Sequence, residues 1–192
     1  MILEIILIVV GVLLLFSILF VGWCIGVYNT MVTAFQDVKG MIGNMKTEYQ
    51  RRSDFFMNLS AVIKGNARFE KETLKDVIAM RNVNFVKNDA PKATLGKMKQ
   101  LDGIFGRLLV TVERYPQLQA NKIFQKGLDE IRITEDRINV ARTEYNNIVN
   151  DFNQYIKVFP NSIISGMFKF DVQEYYENDP GTDKAPKMDL EV

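Results

Sequence analysis

The 192-residue sequence has no histidine and a single cysteine, Cys24. Histidine is the commonest side chain in acid–base catalysis and one of the principal zinc ligands, so its absence removes the usual basis for both. One cysteine cannot form a disulfide within the chain. The other side chains show no nucleophile–base pair, no phosphate-binding loop and no cluster with metal-ligand spacing. We therefore expect no enzymatic activity, no cofactor and no metal.

An excess of either charge sign is also lacking. The chain has 24 Lys and Arg against 23 Asp and Glu, for a formal net charge of +1. A protein that binds nucleic acid needs surplus cations to neutralise phosphates. The charge balance therefore argues against a nucleic-acid partner.

What the chain does have is an uncharged N-terminal run, "IILIVVGVLLLFSILFVGWCIGV", over residues 5–27. About 20 helical residues span the hydrocarbon core of a bilayer, so this run is long enough. The alternative is a cleaved signal peptide. Against it, the run is long, no Lys or Arg precedes it, and no small-x-small cleavage site follows it. We expect a retained transmembrane anchor over residues 1–27, with the lipid bilayer as a partner.

The cations that follow this run indicate its orientation. They are Lys39, Lys46, Arg51 and Arg52, and none precedes the run except the amino terminus. Positive-inside bias then places the N-terminus outside and residues 28–192 in the cytoplasm, in a single-pass topology. Gly22 and Gly26 form a GxxxG pattern that permits close approach of two membrane helices. Such glycines are also common in helices that do not associate.

From residue 28 the apolar pattern becomes that of packed helices. The first stripe advances in steps of three and four through Tyr28, Met31, Phe35, Val38, Ile42, Met45, Tyr49, Arg52, Phe56, Leu59 and Ile63. Three further helices are predicted over about 69–86, from Pro91 to the Tyr115-Pro116 step, and over about 119–159. The sequence thus predicts an all-α fold, in which the transmembrane helix continues into an antiparallel up-down four-helix bundle over residues 28–160.

Charged residues interrupt the stripes of the first and last bundle helices. Arg52 does so in the first, and Glu135 and Arg142 in the last. If Tyr28 and Phe159 lie at one level near the membrane, Arg52 and Glu135 are each 24 residues from that level, or about 36 Å along a helix. We expect these two to form a structural ion pair, with secondary charges close by: Asp54, Asp136, Arg137 and Arg142. The alternative is that the charges reach the bundle rim and stay solvated.

After the last helix, residues 161–192 are predicted to form an apolar C-terminal segment and then an extended tail. Its apolar side chains are Ile163, Ile164, Met167, Phe168 and Phe170. One interpretation is a short amphipathic element on the bilayer surface. The other is that the segment packs against the base of the bundle or against a neighbouring subunit.

Several blocks in order along the chain carry a family resemblance. They include "QRRSDFFMNL" at 50–59, "EKETL" at 70–74, "RLLVTVERYPQLQAN" at 107–121, "TEDRINVARTEYNNIVNDFN" at 134–153 and "FPNSIISGMFKF" at 159–170. The chain resembles the LemA family of bacterial membrane-anchored proteins. The resemblance implies a membrane anchor, a four-helix bundle and a bacterial inner membrane or organelle membrane as the location. Met57 and Phe69 depart from the family's usual proline and histidine, which indicates a divergent or magnetosome-type member.

Two functions fit these features. The first is a membrane-anchored scaffold that self-associates as a homo-oligomer and organises a membrane domain without catalysis. The second is a monomeric membrane-tethered adaptor or sensor that recruits a cytoplasmic protein. The GxxxG pattern and the apolar C-terminal segment favour the first, whereas an exposed groove would favour the second.

Overall fold

A computed structural model of the protein describes residues 1–64, 71–83, 85, 89–113 and 122–177. Every regular element in those ranges is a helix, as predicted. The helices are α1 (Ile2–Lys64), α2 (Lys71–Asn82), α3 (Pro91–Glu113), α4 (Lys122–Lys157) and α5 (Asn161–Phe168). Gly65-Asn66, a stop signal for the first bundle helix, and the predicted stop at Tyr115-Pro116 both lie outside the described residues.

Helix α1 is 63 residues long and contains the whole uncharged run. No proline interrupts it, so the backbone hydrogen bonding continues from the run into the amphipathic stripe. By length and composition α1 is the one helix among the described residues that could cross a membrane, and its most apolar window has no buried side chain. The predicted continuation of the apolar helix beyond Tyr28 is thus confirmed.

The chain divides into two compact units. The first unit comprises Met1–Val38 with Asn147–Glu174, and the second comprises Lys39–Asn146 with Tyr175–Val192. Helices α1 and α4 each contribute residues to both units, whereas α2 and α3 belong to the second and α5 to the first.

The first unit has an aromatic core beside α5. The ring of Phe35 lies 5.7 Å from that of Phe152 and 6.4 Å from that of Phe170 between centroids. Ser165 fixes α5 against α4, because its hydroxyl donates a 2.9 Å hydrogen bond to the carbonyl oxygen of Ile156. Lys169 then ends α5 with a left-handed backbone, φ 58°. The turn aims Phe170 back at the unit's own core.

The second unit is built from stripes on α1, α3 and α4. Their side chains are buried at the steps of three and four that the sequence predicts: Met45, Tyr49, Phe56 and Leu59; Met98, Leu101 and Phe105; Phe124, Ile131, Ile138 and Tyr145. Burying each such side chain contributes about 1.5–3 kcal/mol. The rings of Phe56 and Phe105 stack with centroids 5.0 Å apart, which joins α1 to α3.

Two elements are shorter than predicted. Helix α4 ends at Lys157 rather than near residue 159, and Phe159, predicted as its last residue, is 77% exposed. The residue before a proline is disfavoured in the helical region, and Phe159 precedes Pro160. Helix α2 ends at Asn82 rather than near residue 86.

Candidate functional site

Six polar side chains meet inside the second unit. They come from α1, α3, α4 and the segment after α5: Tyr49 and Arg52, Asp102, Glu135 and Arg142, and Tyr176. We call this group the polar cluster. Four of its side chains are charged: Arg52, Asp102, Glu135 and Arg142.

Arg52 is the most buried charge of the polar cluster, at 5% exposure. Its Nη1 atom pairs with Oε2 of Glu135 and lies 3.7 Å from Oδ1 of Asp102. The guanidinium also stacks over the ring of Phe105, with Cζ 4.1 Å from the centroid. A buried guanidinium needs such compensation because desolvation of an unpaired charge is costly.

Asp102 accepts hydrogen bonds from three partners. The hydroxyl of Tyr49 donates to Oδ2 at 2.8 Å, and the hydroxyl of Tyr176 donates to the same oxygen. Nη2 of Arg142 donates to the other oxygen, Oδ1, at 2.7 Å. One carboxylate thereby joins α1, α3, α4 and the C-terminal segment.

Arg142 closes the network on the other side. Its Nε donates to the hydroxyl oxygen of Tyr49 at 3.2 Å, and its Nη1 donates to Oδ1 of Asn139 at 3.1 Å. Its guanidinium carbon lies 4.8 Å from the centroid of the Tyr176 ring. Glu135 is farther away, at 3.9 Å from Nη1.

Burial and charge shift the titration of these groups. Burial, reinforced by the negative charge of Asp102, raises the pKa of Tyr49 and of Tyr176 above their usual value. Burial lowers the pKa of Arg52, and the carboxylates of Glu135 and Asp102 oppose that change. For Arg142, burial lowers the pKa, but Tyr49 and Asp102 outweigh it and the net shift is upward. Both hydroxyls therefore stay protonated as donors, and both guanidiniums stay charged near neutral pH.

The C-terminal segment that brings Tyr176 into the polar cluster is held by its backbone. In the second unit, Nδ2 of Asn146 donates to the carbonyl oxygen of Tyr176 at 3.0 Å, and the amide of Tyr176 donates to Oδ1 of Asn146 at 2.8 Å. In the first unit, Asn153 makes the same pair of hydrogen bonds with Gln173, at 2.9 and 2.8 Å. A side-chain amide suits this task because it has a donor and an acceptor side by side.

A cavity of about 470 Å³ opens beside the polar cluster. Its lining contains three cationic and three anionic side chains: Arg52, Lys99 and Arg142; Asp102, Glu135 and Glu177. Most of these charges already neutralise one another through the contacts above. The hydroxyls of Tyr49 and Tyr176 already donate hydrogen bonds to Asp102, and Arg142 donates a further one to the same carboxylate. These groups therefore act as structural donors and acceptor within the chain.

All residues of the polar cluster lie in a part of the chain that matches a known family. The family model for the LemA family matches residues 41–190, which is more than half of the chain. The chain belongs to the LemA family. The predicted membership is thus confirmed, and all six residues of the polar cluster fall in the matched region.

The similar proteins include magnetosome proteins named MamQ and a protein named LemA. The chain is 25% identical over 181 residues to Magnetosome protein MamQ 2 of Paramagnetospirillum magneticum and to Magnetosome protein MamQ of Magnetospirillum gryphiswaldense. Each match covers 81% of this chain and 66% of the relative. Protein LemA of Metamycoplasma hominis is 28% identical over 151 residues, covering 76% of this chain and 68% of that protein. These similarities are consistent with a divergent or magnetosome-type LemA protein.

The charges predicted to accompany the Arg52–Glu135 pair separate in this LemA-family structure. Arg142 lies in the polar cluster. Asp54 is exposed and accepts a hydrogen bond from Gln50 on its own helix. Asp136 and Arg137 are exposed and line a different groove. The reason is helical geometry, since one or two residues after Glu135 turn a side chain by about 100° or 200° around α4.

The residues predicted to contact the membrane or another subunit are partly exposed and partly buried in the first unit. A Cβ atom on Gly22 or Gly26 would have no neighbouring atom within 4 Å. On α5, Ile164 is buried, and Phe170 beyond it is half-buried against aromatic rings. The remaining three, Ile163, Met167 and Phe168, are exposed.

Sequence reasoning missed Asp102, Tyr176 and Asn146. A signal existed for Asp102: counting in alternating steps of three and four from Leu95 passes Met98, Asp102, Phe105, Leu109 and Val112. The same rule had marked Arg52 as a charge in a stripe. No periodic pattern marks Tyr176, because it lies outside the helices.

Proposed function

We propose that this LemA-family protein is a membrane-anchored structural protein that self-associates and organises a membrane domain. In this proposal its N-terminus lies outside and its second unit in the cytoplasm, in a bacterial inner or organelle membrane. The observation that carries the proposal is α1, a single helix that holds both the membrane-length apolar run and two residues of the polar cluster, Tyr49 and Arg52. An element of this kind attaches the polar cluster to a bilayer through one unbroken helix.

We further propose that the helices form the predicted antiparallel up-down four-helix bundle. Contacts between α1 and α4 in the second unit support opposite directions. Leu59 meets Gly127, Arg52 pairs with Glu135, and Tyr49 contacts Arg142. As the residue number falls along α1 it rises along α4, as expected for antiparallel neighbours.

The role proposed for the polar cluster is to lock the register of α1, α3 and α4. A shift of α1 by one turn, about 5.4 Å, would leave the guanidinium of Arg52 buried without its carboxylates. Buried polar groups are best attested as determinants of register. The hydrogen bonds that join Tyr49, Tyr176 and Arg142 to the one carboxylate of Asp102 support this role.

Self-association is supported by the membrane helix. Gly22 and Gly26 are four residues apart and therefore share a face of α1, and nothing in the described chain covers that face. Small residues with this spacing let two helix backbones approach closely in lipid.

The test is the size of the full-length protein in detergent, measured by light scattering and single-particle imaging. The proposal expects oligomers, and it expects Gly22→Ile with Gly26→Ile to reduce the oligomer fraction. Gly11→Ile is the matched control, since Gly11 lies in the same run and its added side chain would also meet open space. A strict monomer at every protein concentration contradicts the proposal.

One observation favours the adaptor function as a second candidate. A groove of about 440 Å³ lies between α1 and α4 in the second unit. Its lining combines apolar residues with an acidic surplus: Met41, Val140 and Ala141; Glu48, Asp136 and Glu144 against Arg137. An amphipathic basic segment of another protein would suit it. Crosslinking from a photoreactive side chain at Val140, in cells, distinguishes the two, because a scaffold is crosslinked to its own copies and an adaptor to a different protein.

A further inference from the structure

Five large apolar side chains at the end of the first unit are exposed together in one short stretch. They are Val158 (57% exposed), Phe159 (77%), Ile163 (56%), Met167 (73%) and Phe168 (55%). We call this set the apolar patch. No charged residue occurs from 158 to 168. A contiguous apolar surface of this kind marks a contact with another apolar phase or molecule.

The patch is exposed because of how α5 is seated. Ile164 and Ser165 face inward, and the hydroxyl of Ser165 bonds to α4. Ile163 and Met167 are four residues apart, so they share one face of the helix, and both are exposed. The first unit thereby holds α5 in an orientation that leaves Ile163, Met167 and Phe168 exposed.

An aromatic contact places the patch next to the membrane-length run. The rings of Tyr28 and Phe168 lie 4.6 Å apart between centroids. Tyr28 directly follows Val27, the last residue of the run. A run of 23 residues extends about 34 Å, longer than the hydrocarbon core of about 30 Å, so its last turn reaches the headgroup region. Amphipathic surface helices bury their apolar face about 5–10 Å into that same region.

Charge at the margins of the patch fits a lipid surface. Lys157 precedes it and Lys169 follows it, and both are exposed. Cations close to a bilayer are attracted to anionic headgroups by about 1 kcal/mol each. The nearest acidic residue along the chain is Asp171, beyond Lys169.

We propose that the apolar patch inserts into the bilayer at the boundary of headgroups and acyl chains, on the side where α1 leaves the membrane. The patch is then a second membrane contact, with Lys157 and Lys169 bound to anionic headgroups. This contact does not depend on self-association. It attaches α5 and the end of α4 to the membrane surface, in addition to the attachment that the spanning part of α1 provides.

The experiment measures lipid contact directly in the full chain. Cys24→Ser removes the native cysteine, and single cysteines are then placed by Ile163→Cys or Met167→Cys and labelled with an environment-sensitive fluorophore. Each protein is reconstituted in nanodiscs that hold one copy and contain lipids with a nitroxide quencher at a shallow or a deep acyl position. Val140→Cys is the control for a similarly exposed aliphatic site, 59% exposed, in the second unit. Phe16→Cys, inside the run, is the control for deep contact.

We expect the labels at 163 and 167 to be quenched most by the shallow quencher, the label at 16 by the deep one, and the label at 140 by neither. A larger share of anionic lipid in the nanodisc should increase the quenching of the label at 163. Lys157→Gln with Lys169→Gln should remove that increase. Helical circular dichroism equal to that of the starting protein checks folding. Lack of quenching at both 163 and 167 overturns the proposal. So does a blue-shifted, unquenched label, because it shows that protein rather than lipid covers the patch.

Discussion

Arg52 of α1 and Glu135 of α4 form an ion pair whose two members differ in burial, the arginine side chain being 6% exposed and the glutamate 34%. Separation of the pair would therefore cost more free energy at the arginine than at the glutamate, because the arginine's charge has little access to water. Asp102 stands 3.7 Å away on α3 as a second carboxylate. The pair is the core of a network that extends through Arg142 to Tyr49 and Tyr176.

Removing the carboxylate of this pair should destabilise the second unit. Glu135→Ala leaves the Arg52 guanidinium with only the more distant Asp102, so we expect a loss of about 2–4 kcal/mol in the free energy of unfolding. The measurement is chemical denaturation of the full chain in detergent. Glu130→Ala, an exposed site on the same helix, should change stability by about 0.5 kcal/mol or less. An unchanged denaturation curve for Glu135→Ala would mean that these charges are solvated.

Asp102 and Asp76 provide a comparison between two carboxylates paired with arginines. Asp102→Asn removes the charge that faces Arg142 and Arg52, and we expect a loss above about 2 kcal/mol. Asp76 binds Arg107 at 2.8 Å, but the arginine side chain is 59% exposed. Asp76→Asn should therefore cost about 0–1 kcal/mol. Equal losses for the two variants would show that the polar cluster is no more structural than a surface pair.

The two hydrogen bonds between the side chain of Asn146 and the backbone of Tyr176 should slow amide hydrogen exchange at Tyr176. Asn146→Ala removes two hydrogen bonds to Tyr176, so local opening becomes easier by about 1–2 kcal/mol, or about a tenfold faster exchange of that amide. Hydrogen exchange with mass spectrometry of the peptide around residue 176 measures it. Asn147→Ala, at the adjacent exposed position, is the control and should exchange as the native protein does.

The tyrosines of the polar cluster predict a loss of stability at high pH. Their pKa values are raised in the folded state, so the folded protein keeps those protons while the unfolded chain releases them. Stability is then constant below pH about 10 and falls above it by up to about 1.4 kcal/mol per pH unit for each tyrosine. Denaturation at several alkaline pH values measures the slope. Tyr49→Phe with Tyr176→Phe should flatten it, and an unaltered slope in that variant would exclude the two hydroxyls as its cause.

Two glycines should respond in opposite ways to the same substitution. A Cβ on Gly96 of α3 meets open space, so Gly96→Ala should stabilise the protein by about 0.5–1 kcal/mol through helix propensity. A Cβ on Gly127 of α4 would overlap Cδ2 of Leu59. Gly127→Ala should instead destabilise by about 1–3 kcal/mol, because Leu59 must move within a packed core. Thermal melts of both variants test this, and stabilisation by Gly127→Ala would contradict the close approach of α1 and α4.

Much of the helical structure could be read from local patterns. The stripe residues of α1 and α4 repeat every three or four positions, and most of them are buried. Pro91 marks the first residue of α3, because proline suits the first turn of a helix. Phe159 was misjudged since periodicity does not register the helix end before Pro160.

The sequence by itself determined the uncharged membrane-length run, the helical class, the LemA resemblance and the presence of charges within the stripes, because each depends on residues close together along the chain. Tertiary structure decided which of those charges share one network. Asp102, Arg142 and Tyr176 are separated by 40 or more residues from at least one partner. The contacts of Ser165 with Ile156 and of Phe170 with Tyr28 likewise join distant or separate segments, and they leave Ile163, Met167 and Phe168 exposed. Packing between distant segments sets those relationships, and a periodic pattern carries no information about which distant segments meet.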